Sequence, residues 1–215
     1  FFVWIVGFLI GFYSATNQYS IIDYIATIFG FLGLAIPNFL LAIIIMWIGF
    51  SVFGLDVGGL FSDEYVNAPW SIDKVIDLLN HLWVPVIVVG TAGTAAIIRI
   101  FRANLLDELS KPYVDTARAK GVSERKLLIK YPVRIAMLPF ISTVGWALPL
   151  LISGSIIVSV VLNLPTTGPV LLRALMSQDM YLAGSFIMLI SFLTVFGTLV
   201  SDLLLAWVDP RIRYE

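Results

Sequence analysis

The chain has 215 residues, of which 60% are hydrophobic and 13% are charged, whereas soluble proteins carry about 25% charged residues. A net charge of −1 argues against electrostatic binding to nucleic acid. The sequence has no Cys and one His, His81, which excludes disulfides, thiolate metal sites, a zinc site built on a His cluster and a Ser-His-Asp triad. We therefore expect an all-α, polytopic membrane protein with no catalytic residues of its own.

Apolar segments predict about five transmembrane spans. Residues 1–13 form an apolar run that is too short to cross a bilayer, which needs roughly 20 apolar residues. We therefore expect the first helix to be cut at the N-terminus. Windows without charged residues predict the other spans at residues 24–55, 82–98, about 136–161 and 180–201. Residues 162–169 contain two prolines and a glycine, which predict an irregular segment.

Basic residues are concentrated in one connection between spans. Nine of the 13 Lys and Arg residues lie within residues 99–134, whereas residues 54–80 contain one basic and five acidic residues. Cytoplasmic loops of membrane proteins are enriched in Lys and Arg. The loop at residues 105–134 and the basic C-terminal tail are therefore predicted to be cytoplasmic, and the acidic loop to be external.

The basic loop is predicted to form two short helices joined by a tight turn. Pro112 suits the first turn of a helix, and Gly121 suits its end, where a left-handed residue is needed. Ser123 can cap a second helix, which Pro132 ends or kinks. The residues alone leave two interpretations of this loop open: it contacts lipid headgroups, or it docks a protein partner through a helix rich in small and charged residues.

Two polar features have alternative explanations. Asp115 can pair with Lys111 or Arg118 at helical spacing, as an ordinary surface contact. Asn38 lies beside Pro37 near the middle of an apolar span. Polar groups inside a membrane face a pore or a neighbouring helix, and both remain open for Asn38.

Three segments carry a recognisable pattern. They read Arg99-Ile-Phe-Arg-Ala-Asn-Leu-Leu-Asp-Glu-Leu, Tyr113-Val-Asp-Thr-Ala-Arg-Ala-Lys-Gly-Val-Ser-Glu-Arg-Lys and Leu205-Ala-Trp-Val-Asp-Pro-Arg-Ile-Arg-Tyr. Together they resemble the permease subunits of ABC importers, in the dipeptide and oligopeptide transport subfamily. The second segment resembles the EAA loop of that family.

The chain departs from the usual family pattern in three places. Asp115 and Thr116 stand where the EAA pattern begins with Glu. After the second short helix the chain reads Tyr131-Pro-Val-Arg-Ile-Ala in place of His-Ala-Leu-Arg-Asn-Ala. Residues 162–168 read Leu-Asn-Leu-Pro-Thr-Thr-Gly in place of Phe-Gly-Trp-Pro-Gly-Leu-Gly, a difference that bears on the outer gate and on substrate choice.

The resemblance implies a single transmembrane domain over residues 1–215, truncated at its N-terminus, with six spans in the full chain. It implies a multi-pass subunit of the inner (cytoplasmic) membrane that forms half of the translocation pathway of an ATP-driven importer of peptides. Relatives in the subfamily also carry nickel, glutathione or oligosaccharides. A secondary transporter driven by an ion gradient is the alternative, and it would usually contain intramembrane ion-binding carboxylates.

The resemblance also implies partners and site residues. The partners are a second homologous permease, two ATP-binding subunits at the cytoplasmic loop, an external solute-binding protein and membrane lipid. ATP and Mg would lie on the ATPase subunits, because this chain has no G-x-x-x-x-G-K-[ST] motif, and no cofactor or metal is expected here. The residues implied in coupling to the ATPases are Tyr113, Asp115, Thr116, Ala117, Arg118, Ala119, Gly121, Ser123 and Glu124.

Overall fold

The computed structural model of the protein describes residues 2–54, 58–153 and 155–208. Within these ranges every regular element is an α-helix, in agreement with the predicted all-α class. In chain order the helices are α1 (Phe2–Thr16), α2 (Ile21–Ala35), α3 (Asn38–Phe53), α4 (Asp63–Val66), α5 (Ile72–Leu109), α6 (Pro112–Ala119), α7 (Glu124–Lys130), α8 (Pro132–Ala136), α9 (Leu138–Ser142), α10 (Val144–Ser153), α11 (Ile156–Val161), α12 (Thr167–Met176) and α13 (Met180–Val208).

Fewer helices are long enough to cross a membrane than the sequence predicted. In the described part of the chain two helices qualify by length and composition, α5 with 38 residues and α13 with 29 residues. The count rises to three if α2 and α3, which are separated by Ile36 and Pro37, form one broken span. The prediction of five spans was therefore too high.

One predicted span is broken into short helices, and prolines stand in the first turn of two of them. The predicted span at residues 136–161 is divided among α8, α9, α10 and α11. Pro132 begins α8, Pro139 lies in the first turn of α9, and Pro149 lies inside α10. Each proline removes a backbone donor and disfavours the helical conformation of the residue before it. The absence of charge predicted one continuous span, because a window chosen for charge alone does not register prolines.

Helix α5 extends well beyond the predicted span at residues 82–98. Charged side chains near both of its ends have partners, so the helix can continue past its apolar middle. Asp77 accepts hydrogen bonds from the amide and the hydroxyl of Ser62, at 2.9 and 2.6 Å. Arg102 forms an ion pair with Asp23.

The described chain forms two compact units. The first contains residues 2–33, 94–148 and 192–208, and the second contains residues 34–93 and 149–191. The chain passes from one unit to the other within α2, α5, α10 and α13. Each unit is therefore assembled from segments that are separated along the sequence.

In the first unit, α1 packs closely on α5. A Cβ added at Gly7 would lie 2.5 Å from Cγ2 of Ile97, and one added at Gly11 would lie 3.3 Å from the carbonyl oxygen of Ile98. Two glycines one turn apart thus let the helices approach closely, as small residues do at helix interfaces in membranes. The buried core continues from this contact and consists of Ala15, Phe101, Leu105, Val133 and Ala136.

The second unit has its own cores. One joins α3, α5 and α11 through the buried residues Ala42, Val84, Val88, Val158, Leu162 and Leu164. The predicted irregular segment is confirmed at residues 162–166, but a short helix that the sequence analysis did not predict, α12, follows it. Leu171 and Ala174 of α12 pack against Ala183 of α13.

Candidate functional site

The loop at residues 105–134 has the predicted helix–turn–helix conformation. Helix α6 begins at Pro112, and α7 ends at Lys130, before Pro132. Gly121 has φ +78°, the left-handed conformation expected for the turn. Its amide donates to the carbonyl of Arg118 at 3.0 Å, and the amide of Val122 donates to that of Ala117 at 3.2 Å. These bonds satisfy carbonyls at the end of α6.

Apolar contacts and an ion-pair cluster hold one side of the loop. Val114 and Leu127 are fully buried, one from each short helix. The hydroxyl of Tyr113 donates to Oε2 of Glu108 at 2.6 Å, and Nζ of Lys111 also bonds to Glu108. Burial, with the bond to Glu108, raises the pKa of Tyr113 above its usual range. The bond to Glu108 also raises the pKa of Lys111.

The opposite side of the loop is exposed. Asp115, Thr116, Ala119, Gly121, Ser123 and Glu124 all lie at the surface. The side chain of Arg118 crosses the turn, donating from Nη1 to Asp115 at 3.3 Å and from Nε to Glu124 at 2.6 Å. The bond to Glu124 raises the pKa of Arg118. The predicted pairing of Asp115 with Arg118 is confirmed, whereas Lys111 pairs with Glu108 and Asp107.

The predicted capping by Ser123 was wrong in its detail. Ser123 occupies the N-cap position of α7 in an extended conformation, but its side chain makes no capping hydrogen bond. Its backbone carbonyl accepts a hydrogen bond from the amide of Leu127 at 2.9 Å, which is the first hydrogen bond of α7. The ion pair of Arg118 with Glu124 links the start of α7 to α6 instead.

A concave groove of about 840 Å³ lies beside the short helices. Three predicted coupling residues, Tyr113, Thr116 and Ala117, line it. The remaining lining residues include basic and apolar side chains: Lys120, Val122, Lys130, Tyr131, Arg134, Ile135, Leu138 and Val208. Arg134 donates from Nε and Nη2 to the carbonyl of Val208, at 2.9 and 2.6 Å. The end of α13 is thereby fastened to α8, next to the loop.

A second polar site in the first unit was missed by the sequence analysis. The carboxylate of Asp23 accepts hydrogen bonds from Nε and Nη2 of Arg102, at 2.8 and 2.9 Å. It also accepts from the amide of Tyr19 at 2.9 Å and from the hydroxyl of Ser14. The only sequence signal was the presence of opposite charges beside two apolar segments, because the two residues are 79 positions apart.

Asn38 is the remaining predicted site residue. It is the first residue of α3, directly after Pro37, and its side chain is partly buried. It belongs to the second unit, whereas the loop residues belong to the first. The structure therefore places the predicted coupling residues together and leaves Asn38 as a separate candidate.

Comparison with known proteins identifies the family. The family model described as "Binding-protein-dependent transport system inner membrane component" matches residues 7–214. The chain belongs to this family. The family consists of membrane permease components rather than catalytic enzymes.

Individual members of the family are similar over nearly the whole chain. It is 37% identical to the oligopeptide transport system permease protein AppB of Bacillus subtilis over 95% of this chain and 63% of AppB. It is 29% identical to the dipeptide transport system permease protein DppB of Escherichia coli K12, over 98% of this chain and 67% of DppB. It is 33% identical to the inner membrane ABC transporter permease protein YejB of Escherichia coli O157:H7, over 99% of this chain and 59% of YejB.

The chain thus spans 59% to 67% of the length of these three curated relatives. The match includes the predicted coupling loop and the whole C-terminal motif at residues 205–214. Residues 209–215, which contain the end of that motif and the basic tail, lie outside the described residues, as do residues 55–57 of the acidic loop.

Proposed function

We propose that this chain is the permease subunit of an ATP-driven importer of peptides or of a related small solute, and that it forms half of the translocation pathway. The family membership and the names of the similar permeases support this proposal over a transporter driven by an ion gradient. Peptides are the proposed solute class because AppB and DppB are named for oligopeptide and dipeptide transport.

The observation that carries the proposal is the two-sided construction of the loop. Its buried side is fixed by Val114 and Leu127, which have no exposed surface. Its opposite side offers small and charged groups in a rigid helix–turn–helix, available to a partner. The proposed coupling residues are Tyr113, Asp115, Thr116, Ala117, Arg118, Ala119, Gly121, Ser123 and Glu124.

The proposed partners follow from this role. Two ATPase subunits bind at the loop and hold ATP and Mg, a second permease completes the pathway, and an external solute-binding protein delivers the solute. Movement of the ATPases displaces α6, and the transmembrane helices then alternate between inward-open and outward-open states. The loop and the C-terminus are cytoplasmic in this proposal.

Coupling is tested by changing the shape of the loop without changing its charge. Gly121→Val places a β-branched residue at φ +78°, at a cost of roughly 1 kcal/mol or more. No atom lies within 4 Å of the added Cβ, so the strain comes from the backbone alone. Ala117→Trp fills the groove. We expect both variants to reach the membrane but to lose ATPase co-purification and ATP-dependent uptake.

Matched variants provide the controls. Gly121→Asn should retain function, because Asn tolerates the left-handed conformation, and Ala117→Ser adds little volume. Replacing Lys126 and Lys130 with Gln removes charge but preserves shape, and should have a smaller effect. If the two shape variants transport normally while the charge variant fails, the loop is a lipid-contacting surface and the docking proposal is wrong.

The orientation has a separate test. Ser123 and Asp63 are both exposed, so single cysteines introduced there are accessible in this cysteine-free chain. An impermeant thiol reagent applied to intact cells should label Asp63→Cys and leave Ser123→Cys unlabelled. The reverse pattern would overturn the orientation.

Asn38 is proposed to line the pathway or to contact the partner permease. Its polar side chain follows Pro37 at the break between α2 and α3, and breaks of this kind line cavities in transporters. Asn38→Leu should therefore alter uptake or complex yield. Unchanged uptake together with unchanged yield would indicate a position facing lipid.

A further inference from the structure

The carboxylate of Asp23 is held by four donors from two distant parts of the chain. Arg102 of α5 supplies Nε and Nη2. The hydroxyl comes from Ser14 in the last turn of α1, and the amide comes from Tyr19 in the turn between α1 and α2. The side chain of Asp23 is 4% exposed, and Ser14 is fully buried. All four donors converge on one carboxylate, so the arrangement fixes a single relative orientation of the turn and α5.

We propose that Asp23 and Arg102 are positioning residues for coupling: they make the α1–α2 turn move with the coupling loop as one body. This inference rests on the proposed function of the loop. It assigns to the ion pair the role of transmitting displacement of the loop to the helices at the start of the chain.

The first step of the argument concerns how the loop is attached. Helix α5 leads into the loop, and Leu105 lies one turn after Arg102. Helix α8 leaves the loop, and its Val133 and Ala136 join Leu105 in the same buried core. Both ends of the loop therefore pack against one cluster, which also contains Ala15, the neighbour of Ser14.

The second step concerns what apolar packing leaves free. Contacts among Ala, Val, Leu and Phe resist separation, but they are non-directional. A bidentate guanidinium–carboxylate pair adds geometric specificity. Sliding of the turn past α5 would break this pair and leave a buried carboxylate without its cation, which is strongly unfavourable. The pair thus converts a close contact into a rigid connection.

The third step follows the chain beyond the pair. Asp23 lies in the first turn of α2, and α2 continues to Ala35, just before Pro37 and Asn38. A displacement of the turn is therefore transmitted directly along the backbone of α2. The break at Pro37 is the first place along this path where the direction of the chain can adjust.

The experiment uses the complete transporter, with the full-length permease, its partner permease, the ATPases and the solute-binding protein in proteoliposomes. The principal variant is the double substitution Asp23→Asn/Arg102→Gln, which removes the ion pair without leaving an unpaired charge. The measured quantity is the amount of solute transported per ATP hydrolysed. We expect the double variant to assemble and to hydrolyse ATP, but to transport about tenfold less solute per ATP.

Two further variants make the outcome decisive. Arg102→Lys retains the charge but loses the planar fork, so it should give an intermediate loss of solute per ATP even if the double variant assembles poorly. Arg99→Gln changes an exposed arginine one turn earlier on the same helix and should retain the wild-type ratio.

The contrary results are distinct. If the pair has only a structural role, less complex will assemble, but each assembled complex will transport the wild-type amount of solute per ATP; this result would overturn the inference alone. If the wild-type complex shows no ATP-dependent uptake, the proposed function fails, and the inference that rests on it fails too.

Discussion

Two arginines in the first unit form ion pairs with carboxylates in different surroundings. Arg102 and Asp23 join segments far apart in sequence, with side chains 26% and 4% exposed. Arg118 bridges Asp115 and Glu124 within a few residues, and these three side chains are 50%, 74% and 58% exposed. The two arginines therefore differ in role because of where they lie in the fold. The buried pair of Arg102 holds helices together, whereas the exposed pairs of Arg118 lie on a surface that a partner can reach.

The difference has an energetic basis. When an exposed pair forms, the two side chains replace hydrogen bonds to water with hydrogen bonds to each other. Such a pair therefore contributes little to stability. A buried pair stabilises weakly relative to an apolar substitute, but losing one partner leaves an unpaired charge at a large cost. The buried pair is suited to fixing geometry, and the exposed pair is suited to meeting a partner.

The largest expected effect comes from breaking the buried pair on one side. Arg102→Ala leaves the carboxylate of Asp23 without its cation and should lower the free energy of unfolding by about 3 kcal/mol. The double variant Asp23→Asn/Arg102→Gln should recover part of this loss, as coupled residues do. Thermal unfolding in detergent measures both. The single variants Asp23→Asn and Arg102→Gln complete the comparison. If the double variant loses as much stability as these two single variants lose together, the two residues act independently.

A somewhat smaller effect is expected where α1 approaches α5 beside this pair. Gly7→Ala places a Cβ 2.5 Å from Ile97, and such overpacking should destabilise by about 2 kcal/mol. Gly30→Ala is the matched control, since nothing lies within 4 Å of its added Cβ, and it should stabilise α2 by roughly 0.5 kcal/mol or more. Equal unfolding temperatures for the two variants would contradict the close packing.

Tyr113 lies between the two extremes, since it anchors the loop to Glu108 at the edge of the exposed surface. Tyr113→Phe should cost about 1 kcal/mol, the value of one hydrogen bond. Because the folded protein raises the pKa of Tyr113, the unfolded chain loses this proton first as the pH rises. The contribution of the Tyr113 hydroxyl to the free energy of unfolding should therefore be fully present below about pH 10 and should decrease as the pH rises above that value. Comparing unfolding of wild type and Tyr113→Phe at pH 8 and above pH 10 tests this sign, and a wild-type advantage that grows at high pH would contradict it.

The smallest effect is expected at the exposed pair. Arg118→Gln should leave the unfolding temperature unchanged within experimental error, at both low and high salt. It should nevertheless weaken ATPase co-purification if Arg118 belongs to the docking surface. A clear loss of stability would mean that the pair supports the fold, and the contrast with Arg102 would disappear.

The loop was predictable because its signals are local. Pro112, Gly121 and Pro132 each constrain their own backbone, so the positions of the two short helices could be inferred without knowledge of the rest of the fold. Capping by Ser123 was not fixed in this way, because its rotamer and the competing contact of Glu124 with Arg118 depend on the folded turn.

The transmembrane helices were less predictable. A charge-free window indicates that a segment can be buried in lipid, but it does not indicate whether one helix continues through it. The window at residues 136–161 is divided among four helices, one of which has Pro139 in its first turn. By contrast, α5 continues through charged residues that find partners elsewhere. The ion pair of Asp23 with Arg102 could not be deduced from spacing, because the two residues meet only after the helices have packed.

The length of α5 has a consequence for the surrounding lipid. At 1.5 Å per residue its 38 residues extend about 57 Å, nearly twice the hydrocarbon thickness of about 30 Å. The part between Asp77 and Arg99 that contains no Asp, Glu, Lys or Arg is 21 residues long, or about 31 Å, which matches that thickness. In bilayers of longer-chain lipids the flanking charges would be drawn toward the apolar region, and the helix would respond by tilting less or by locally thinning the membrane. Acyl-chain length should therefore act on transport through this helix even when no lipid binds at a specific site.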